Sequence, residues 1–158
     1  MNPEERLAAA LVNHNLTLAT AESCTGGGLS HLLTAIPGAS GFFIGGVIAY
    51  QNEVKIHWLG VPQETLTNHG AVSSQTAAAM AEGCRCRFKA DIAVSITGIA
   101  GPSGGTPNKP VGLVYIAVAT EASTLTAEHR FSGDREQVRS DAIAIASKLI
   151  LDAIEDQT

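Results

Sequence analysis

At 158 residues the chain is long enough for one well-buried core and too short for two ordinary domains, so a single domain over residues 1–158 is expected. Hydrophobic residues make up 45% and charged residues only 16%, which places much of the chain in a core or a subunit interface. A net charge of -5 lacks the basic field that nucleic-acid phosphates attract, and this argues against nucleic-acid binding.

No apolar run approaches the roughly 20 residues of a membrane span. The opening MNPEERLAAA is acidic where a secretory leader would be basic, so no membrane association and a cytoplasmic location are expected. Cys24, Cys84 and Cys86 form an odd set, and a bridge between Cys84 and Cys86 would be strained; free thiols are expected. The histidines His14, His31, His57, His69 and His129 are scattered without ligand spacing, so no metal is expected.

In chain order, Pro3 with Glu4 and Glu5 suits a helix start, and Leu7, Ala8, Leu11 and Val12 fall at helical spacing to about His14. Leu16 to Ala21 reads as a short strand running into the glycine-rich turn ESCTGGG, with a second helix ending near Ile36. Phe42 to Tyr50 reads as a strand and Asn52 to Leu59 as a short helix. Pro62 to His69 predicts a helical turn or two, closed by Gly70. Ser73 or Ser74 caps an alanine-rich helix to about Phe88.

Ile92 to Ile96 reads as a buried strand, followed by the loop TGIAGPSGGTPNKP, whose glycines and prolines exclude regular structure. Val111 to Thr120 and Thr124 to Phe131 predict an antiparallel hairpin. The last helix begins at Asp134 and carries Val138, Ala142, Ile145, Leu149 and Ile150. Strands alternating with helices, then an edge hairpin, predict a three-layer α/β/α sandwich with a mixed, mostly parallel sheet.

In open α/β sheets, ligands sit beyond the carboxyl ends of strands. Three loops are candidates. In AESCTGGG, Thr25 can cap the helix, Gly26 and its neighbours let backbone N–H groups approach an anion, and Glu22 and Ser23 stand at the mouth of a pocket. The same glycines equally suit a tight packing turn. Thr97 and Gly98 open the second loop with a hydroxyl and backbone donors, without the ending of a Walker A loop. In SGDREQVR, Arg135 and Arg139 lie four apart on one helical face and suit a phosphate or carboxylate, although pairing with Asp134, Glu136 or Asp141 explains them as well.

Ser40, Tyr50 and Lys55 surround the apolar run GASGFFIGGVIAYQNEVK. A buried, neutral lysine can activate a serine for attack on a carbonyl, with tyrosine handling the proton. Spacing alone favours a plainer reading, with Ser40 in a turn, Tyr50 at a strand end and Lys55 on a solvated helix face. Cys24, at a helix N-terminus, is a rival nucleophile or a buried, inert thiol.

Taken together, TAESCTGGG, PGASGFFIGGVIAYQNEVK, LGV, HGAVS, SITGIAGPSGG, KPVGLVY and FSGDREQVR resemble the CinA C-terminal domain family from about Leu7 to Ile150. The family includes stand-alone nicotinamide-nucleotide amidohydrolases. The resemblance implies hydrolysis of nicotinamide mononucleotide (NMN) to nicotinate mononucleotide and ammonia, with no cofactor or metal. It implies Ser40 as nucleophile, Tyr50 as proton-handling residue and Lys55 as general base. Ser23 and Thr97 are implied in substrate contact, with Arg135 or Arg139 on the phosphate. It further implies a homodimer or higher homo-oligomer. In two-domain members a domain resembling molybdopterin-binding proteins comes first; no counterpart is expected here, so no pyrophosphatase activity is carried over. Two alternatives stand beside the amidohydrolase: a non-catalytic nucleotide-binding regulatory module linked to competence or DNA damage, and a Cys24-dependent amidase.

Overall fold

The computed structural model describes residues 1–157; Thr158, the last residue of the expected domain, lies outside the described residues. Helix α1, Pro3–Asn13, opens with a reciprocal capping box between Asn2 and Glu5 and buries Leu7, Ala8 and Leu11. Strand β1, Leu18–Glu22, runs into helix α2, Gly28–Thr34. A single 3-10 turn at Ala39–Gly41 precedes strand β2, Phe43–Ile48. Helices α3, Asn52–Leu59, α4, Gln63–His69, and α5, Ser74–Phe88, follow. Strands β3, Ile92–Gly98, β4, Leu113–Ala119, and β5, Thr124–Arg130, lead to helix α6, Arg135–Asp156.

The sheet order is β2-β1-β3-β4-β5. Strand β1 pairs in parallel with both β2 and β3, while β4 is antiparallel to β3 and to β5. Four strands therefore point one way and β4 alone opposes them. The predicted α/β sandwich with its edge hairpin is the observed fold.

Side-chain size sorts the two faces. Along β3, the bulky Ile92, Val94 and Ile96 face α1 and α6, and they pack with Leu7, Leu11, Leu29, Leu33, Val138 and Ile150. Each fully buried side chain of this size contributes about 1.5–3 kcal/mol. The opposite face presents Ala19, Ala21 and Ala93 to the layer of α3, α4 and α5, with Ala117 and Ala119 against Ala77 and Ala81. Small residues on both sides let α5 lie close to the sheet, and Ser95 Oγ donates to the Ala77 carbonyl at 2.6 Å.

Strand limits differ from the sequence reading where hydrogen bonding ends before hydrophobicity does. Ala49 and Tyr50 lie beyond β2: Ala49 N makes a last bond to the Glu22 carbonyl at the end of β1, and the chain then enters α3. Asp134 is the N-cap of α6, accepting from Gln137 N. Ser73, one of the two expected caps, accepts from Thr76 N and is the N-cap of α5. Thr25 does not cap α2: the N-cap is Gly27, and the buried carboxylate of Glu22 accepts from Leu29 N and Ser30 N instead. Among the described residues, no helix is long and apolar enough to cross a membrane.

Candidate active site

The carboxyl ends of β1, β2, β3 and β5 share one edge of the sheet, and there the chain leaves each strand through a glycine-bearing or polar loop. A pocket of about 210 Å³ opens at this edge, lined by Ser23 and Cys24 after β1, Tyr50 and Lys55 after β2, Thr97 and Gly98 at the end of β3, and Arg135 at the start of α6. Ala71, Val72 and Ala100 complete its wall. Ser23 N donates to the Ile96 carbonyl and Ser23 O accepts from Gly26 N, so the ladder and the turn hold this residue from both sides.

Lys55 is 1% exposed, a burial that an ammonium tolerates only with partners. It stands on the inner face of α3, one turn from buried Leu59, and Gly60 ends the helix in the left-handed conformation. Its Nζ lies 2.7 Å from the Ala49 carbonyl, 3.1 Å from the Tyr50 carbonyl and 3.2 Å from Ser23 Oγ. Burial pulls the Lys55 pKa down to about 8, against a smaller opposing influence from Cys24. A neutral amine has two N–H groups and one lone pair; with the two carbonyls taking the N–H groups, the lone pair faces the Ser23 hydroxyl. Such a pairing can serve chemically as a nucleophile and its base.

Ser40 stands apart from this pair within the chain. Ser40 is exposed in the 3-10 turn before β2, whereas Lys55 follows the other end of that strand. Six residues of strand separate them by roughly 20 Å at about 3.3 Å per residue, and Ser40 does not line the pocket. The trio is thus divided: Lys55 and Tyr50 reach the site and Ser40 does not. Tyr50 makes two contacts here. Its main-chain carbonyl holds Lys55, while its hydroxyl, on a side chain 58% exposed, accepts from Arg135 at 3.2 Å.

Of the expected substrate contacts, Ser23, Thr97, Gly98 and Arg135 come together. The Thr97 hydroxyl donates to the Ala71 carbonyl at 2.8 Å. Arg135 spans the pocket, donating to the Gly101 carbonyl at 2.7 Å. Glu22, Thr25, Gly26 and Arg139 belong instead to the framework behind the turn. Glu22 is saturated by protein donors, one of them the Thr25 hydroxyl at 2.7 Å. Arg139 donates to the Cys24 and Thr25 carbonyls at 3.2 and 3.3 Å, and Gly26, at φ 59°, lies beside its guanidinium. The two arginines that spacing could not separate therefore divide by function: Arg135 lines the pocket and Arg139 fastens the turn. Cys24 is buried, and burial pushes its thiol up to about 11, so it stays protonated at neutral pH.

Sequence reasoning assigned Ser23 to contact and missed its pairing with Lys55. The signal was present in a hydroxyl on a strand-to-helix turn, ESCTGGG, at the carboxyl end of a buried strand. Ala71 and Val72 of the HGAVS segment were not expected at the site either, since their lining role comes from the return of the chain out of α4.

A family model for the CinA C-terminal domain matches residues 2–154. A CinA-like protein of Thermotoga maritima is 51% identical over 143 residues, covering 90% of this chain and 35% of its own length. The chain thus spans about a third of the length of the curated relatives it matches. Among solved structures, a CinA superfamily protein from Klebsiella pneumoniae superposes with a TM-score of 0.94 at 36% identity, covering 99% of both chains. The competence/damage inducible protein CihA from Agrobacterium tumefaciens superposes with a TM-score of 0.90 at 40% identity, covering 98% of this chain and 97% of its own. With sequence and fold in agreement over nearly every residue, this chain belongs to the CinA C-terminal domain family.

Proposed function

We propose that the protein is a serine amidohydrolase acting on the carboxamide of nicotinamide mononucleotide, with Ser23 as nucleophile and Lys55 as general base. The observation that carries this reading is the Lys55 amine, buried between two carbonyls and 3.2 Å from the Ser23 hydroxyl. Its depressed pKa keeps a useful fraction neutral near pH 7. The choice of substrate comes from the family resemblance, and the pocket is compatible with it: a small cleft for a primary carboxamide, with the cation of Arg135 at its mouth for a phosphate.

Lys55 takes the Ser23 proton as Oγ attacks the carboxamide carbon. The tetrahedral oxyanion needs donors, which backbone N–H groups at the pocket wall would supply. Lys55 returns the proton to the departing nitrogen, ammonia leaves, and an acyl ester remains on Ser23. Water, deprotonated by the same amine, then cleaves the ester to nicotinate mononucleotide and restores the Ser23 hydroxyl. Cys24 takes no part, because a thiol raised to about 11 supplies almost no thiolate.

The test is incubation with nicotinamide mononucleotide, following ammonia and nicotinate mononucleotide, for the parent, Ser23→Ala and Ser40→Ala. The expected result is turnover by the parent, loss of at least about a thousandfold in Ser23→Ala, and near-parental rates in Ser40→Ala. Turnover kept by Ser23→Ala and lost by Ser40→Ala would restore the sequence-based nucleophile. Nucleotide binding without ammonia release from the parent would support the regulatory-module reading.

A further inference from the structure

We propose that Glu22 is a positioning residue of this site: its buried carboxylate fastens the Ser23–Gly28 turn to α2 and so holds Ser23 Oγ at Lys55 Nζ. The proposal rests on the Ser23–Lys55 reading above. Glu22 is 1% exposed, and its carboxylate accepts four hydrogen bonds. Oε1 takes the Thr25 hydroxyl at 2.7 Å and Leu29 N at 2.9 Å; Oε2 takes Ser30 N at 3.0 Å and the Ser30 hydroxyl at 2.6 Å. A carboxylate offers about four acceptor sites, so none is left for substrate.

The network extends to the strand that leads into α3. Ser30 spends its one proton on Glu22, so the 2.8 Å contact with Thr20 has the Thr20 hydroxyl as donor. A Cβ at Gly46 of β2 would run into that Thr20 hydroxyl, so the strand fits against it only as glycine. Thus β1, α2 and β2 meet around one carboxylate, directly beside the nucleophile. A helix start needs no such device, because a local serine or aspartate at the N-cap would serve. Here the N-cap is Gly27, at φ 95°, and the cap comes from the residue preceding Ser23. Burying a carboxylate is costly unless donors surround it; Arg139 holds the turn at the Cys24 and Thr25 carbonyls, and Glu22 is what ties it to the first turn of α2.

The experiment compares the parent with E22Q and S30A. Glutamine keeps the shape but turns one acceptor into a donor; S30A removes one hydroxyl donor and leaves the carboxylate. E22Q is expected to lose at least about tenfold in kcat with KM within about twofold, and S30A about threefold in kcat, because misplacement of a nucleophile by a fraction of an ångström is felt in the chemical step. The pH midpoint of activity is expected to stay near 8, since burial sets it. Folded E22Q with parental kcat, or with raised KM and unchanged kcat, would overturn the proposal. If thermal melting shows E22Q unfolded, S30A decides: a lowered kcat supports the proposal and a parental one overturns it.

Acylation of Ser23 by a fluorophosphonate, read by mass spectrometry of its peptide, separates this proposal from the choice of substrate. Slower labelling in E22Q and S30A supports the positioning role even if the parent leaves nicotinamide mononucleotide intact. Equal labelling rates overturn the role, and an unlabelled parent Ser23 overturns it together with the nucleophile assignment.

Discussion

A lysine can act as a general base only as the neutral amine, and the pKa of Lys55 is lowered to about 8 by burial. The sign follows: below that pH the amine is protonated and cannot accept the Ser23 proton, so kcat/KM rises with pH and levels off above about 8. A stopped-rate pH series should show a single acid limb with its midpoint there, and a midpoint near the ordinary lysine value of 10.5 would contradict the buried-base reading. Arg135 acts differently. Its guanidinium faces the pocket mouth and borrows the Tyr50 hydroxyl and the Gly101 carbonyl as partners. Arg135→Gln should raise KM for the phosphorylated substrate about tenfold or more and leave kcat within a few-fold, with little change for the unphosphorylated riboside. Measuring both substrates distinguishes a phosphate contact from a general disturbance of the pocket.

At the scale of elements, the position of Lys55 depends on how α3 is seated. Helix α5 crosses the end of α3 so closely that a Cβ on Gly83 would strike the Leu59 carbonyl oxygen, and Leu59 lies one turn from Lys55. Gly83→Ala raises intrinsic helix propensity by up to about 1 kcal/mol, yet here it overpacks a backbone contact. The expected net effect is destabilisation by about 1–3 kcal/mol with a fall in kcat, read from denaturant midpoints and initial rates. A stabilised, fully active variant would show that α3 can shift freely. Helix α6 meets α2 through a side chain instead, where a Cβ on Gly28 would press on the tip of Ile143, one turn beyond the Arg139 that holds the turn. Glycines in ESCTGGG therefore serve packing of the turn between sheet and helix.

For the whole molecule, stability resides in the two apolar layers, and the site sits at one end of them. Leu11 is fully buried where α1 meets α6, on the layer of Leu7, Leu29 and Ile150. Leu11→Ala should cost about 2–5 kcal/mol in unfolding free energy. Below the lowered melting temperature, KM is expected to stay at the parental value, because Leu11 itself lines no part of the pocket. A shift in KM without loss of stability would place α1 in communication with the site.

The architecture was legible in the sequence because each element carries its own signal. The 3.6-residue period of α1 and α6, the short apolar runs of β1 to β4, and the punctuation at Gly70 and Asp134 are local, and local physics determines them. The family motifs were legible for the same reason, as were Lys55, Ser23, Thr97, Gly98 and Arg135 as residues of interest. Which of them meet was decided only by tertiary structure. Ser40 and Lys55 are neighbours along the chain, but a strand lies between them and carries them to opposite ends of the sheet. Ser23 and Lys55 are 32 residues apart and touch, because β1 and β2 are parallel and end at the same edge. Arg135 and Arg139 look alike on a helical wheel, and only the docking of α6 against the turn sends one to the pocket and the other to the carbonyls of Cys24 and Thr25. Residue type and local period are properties of a segment; proximity across parallel strands is a property of the whole sheet, and the chemistry of this site depends on the latter.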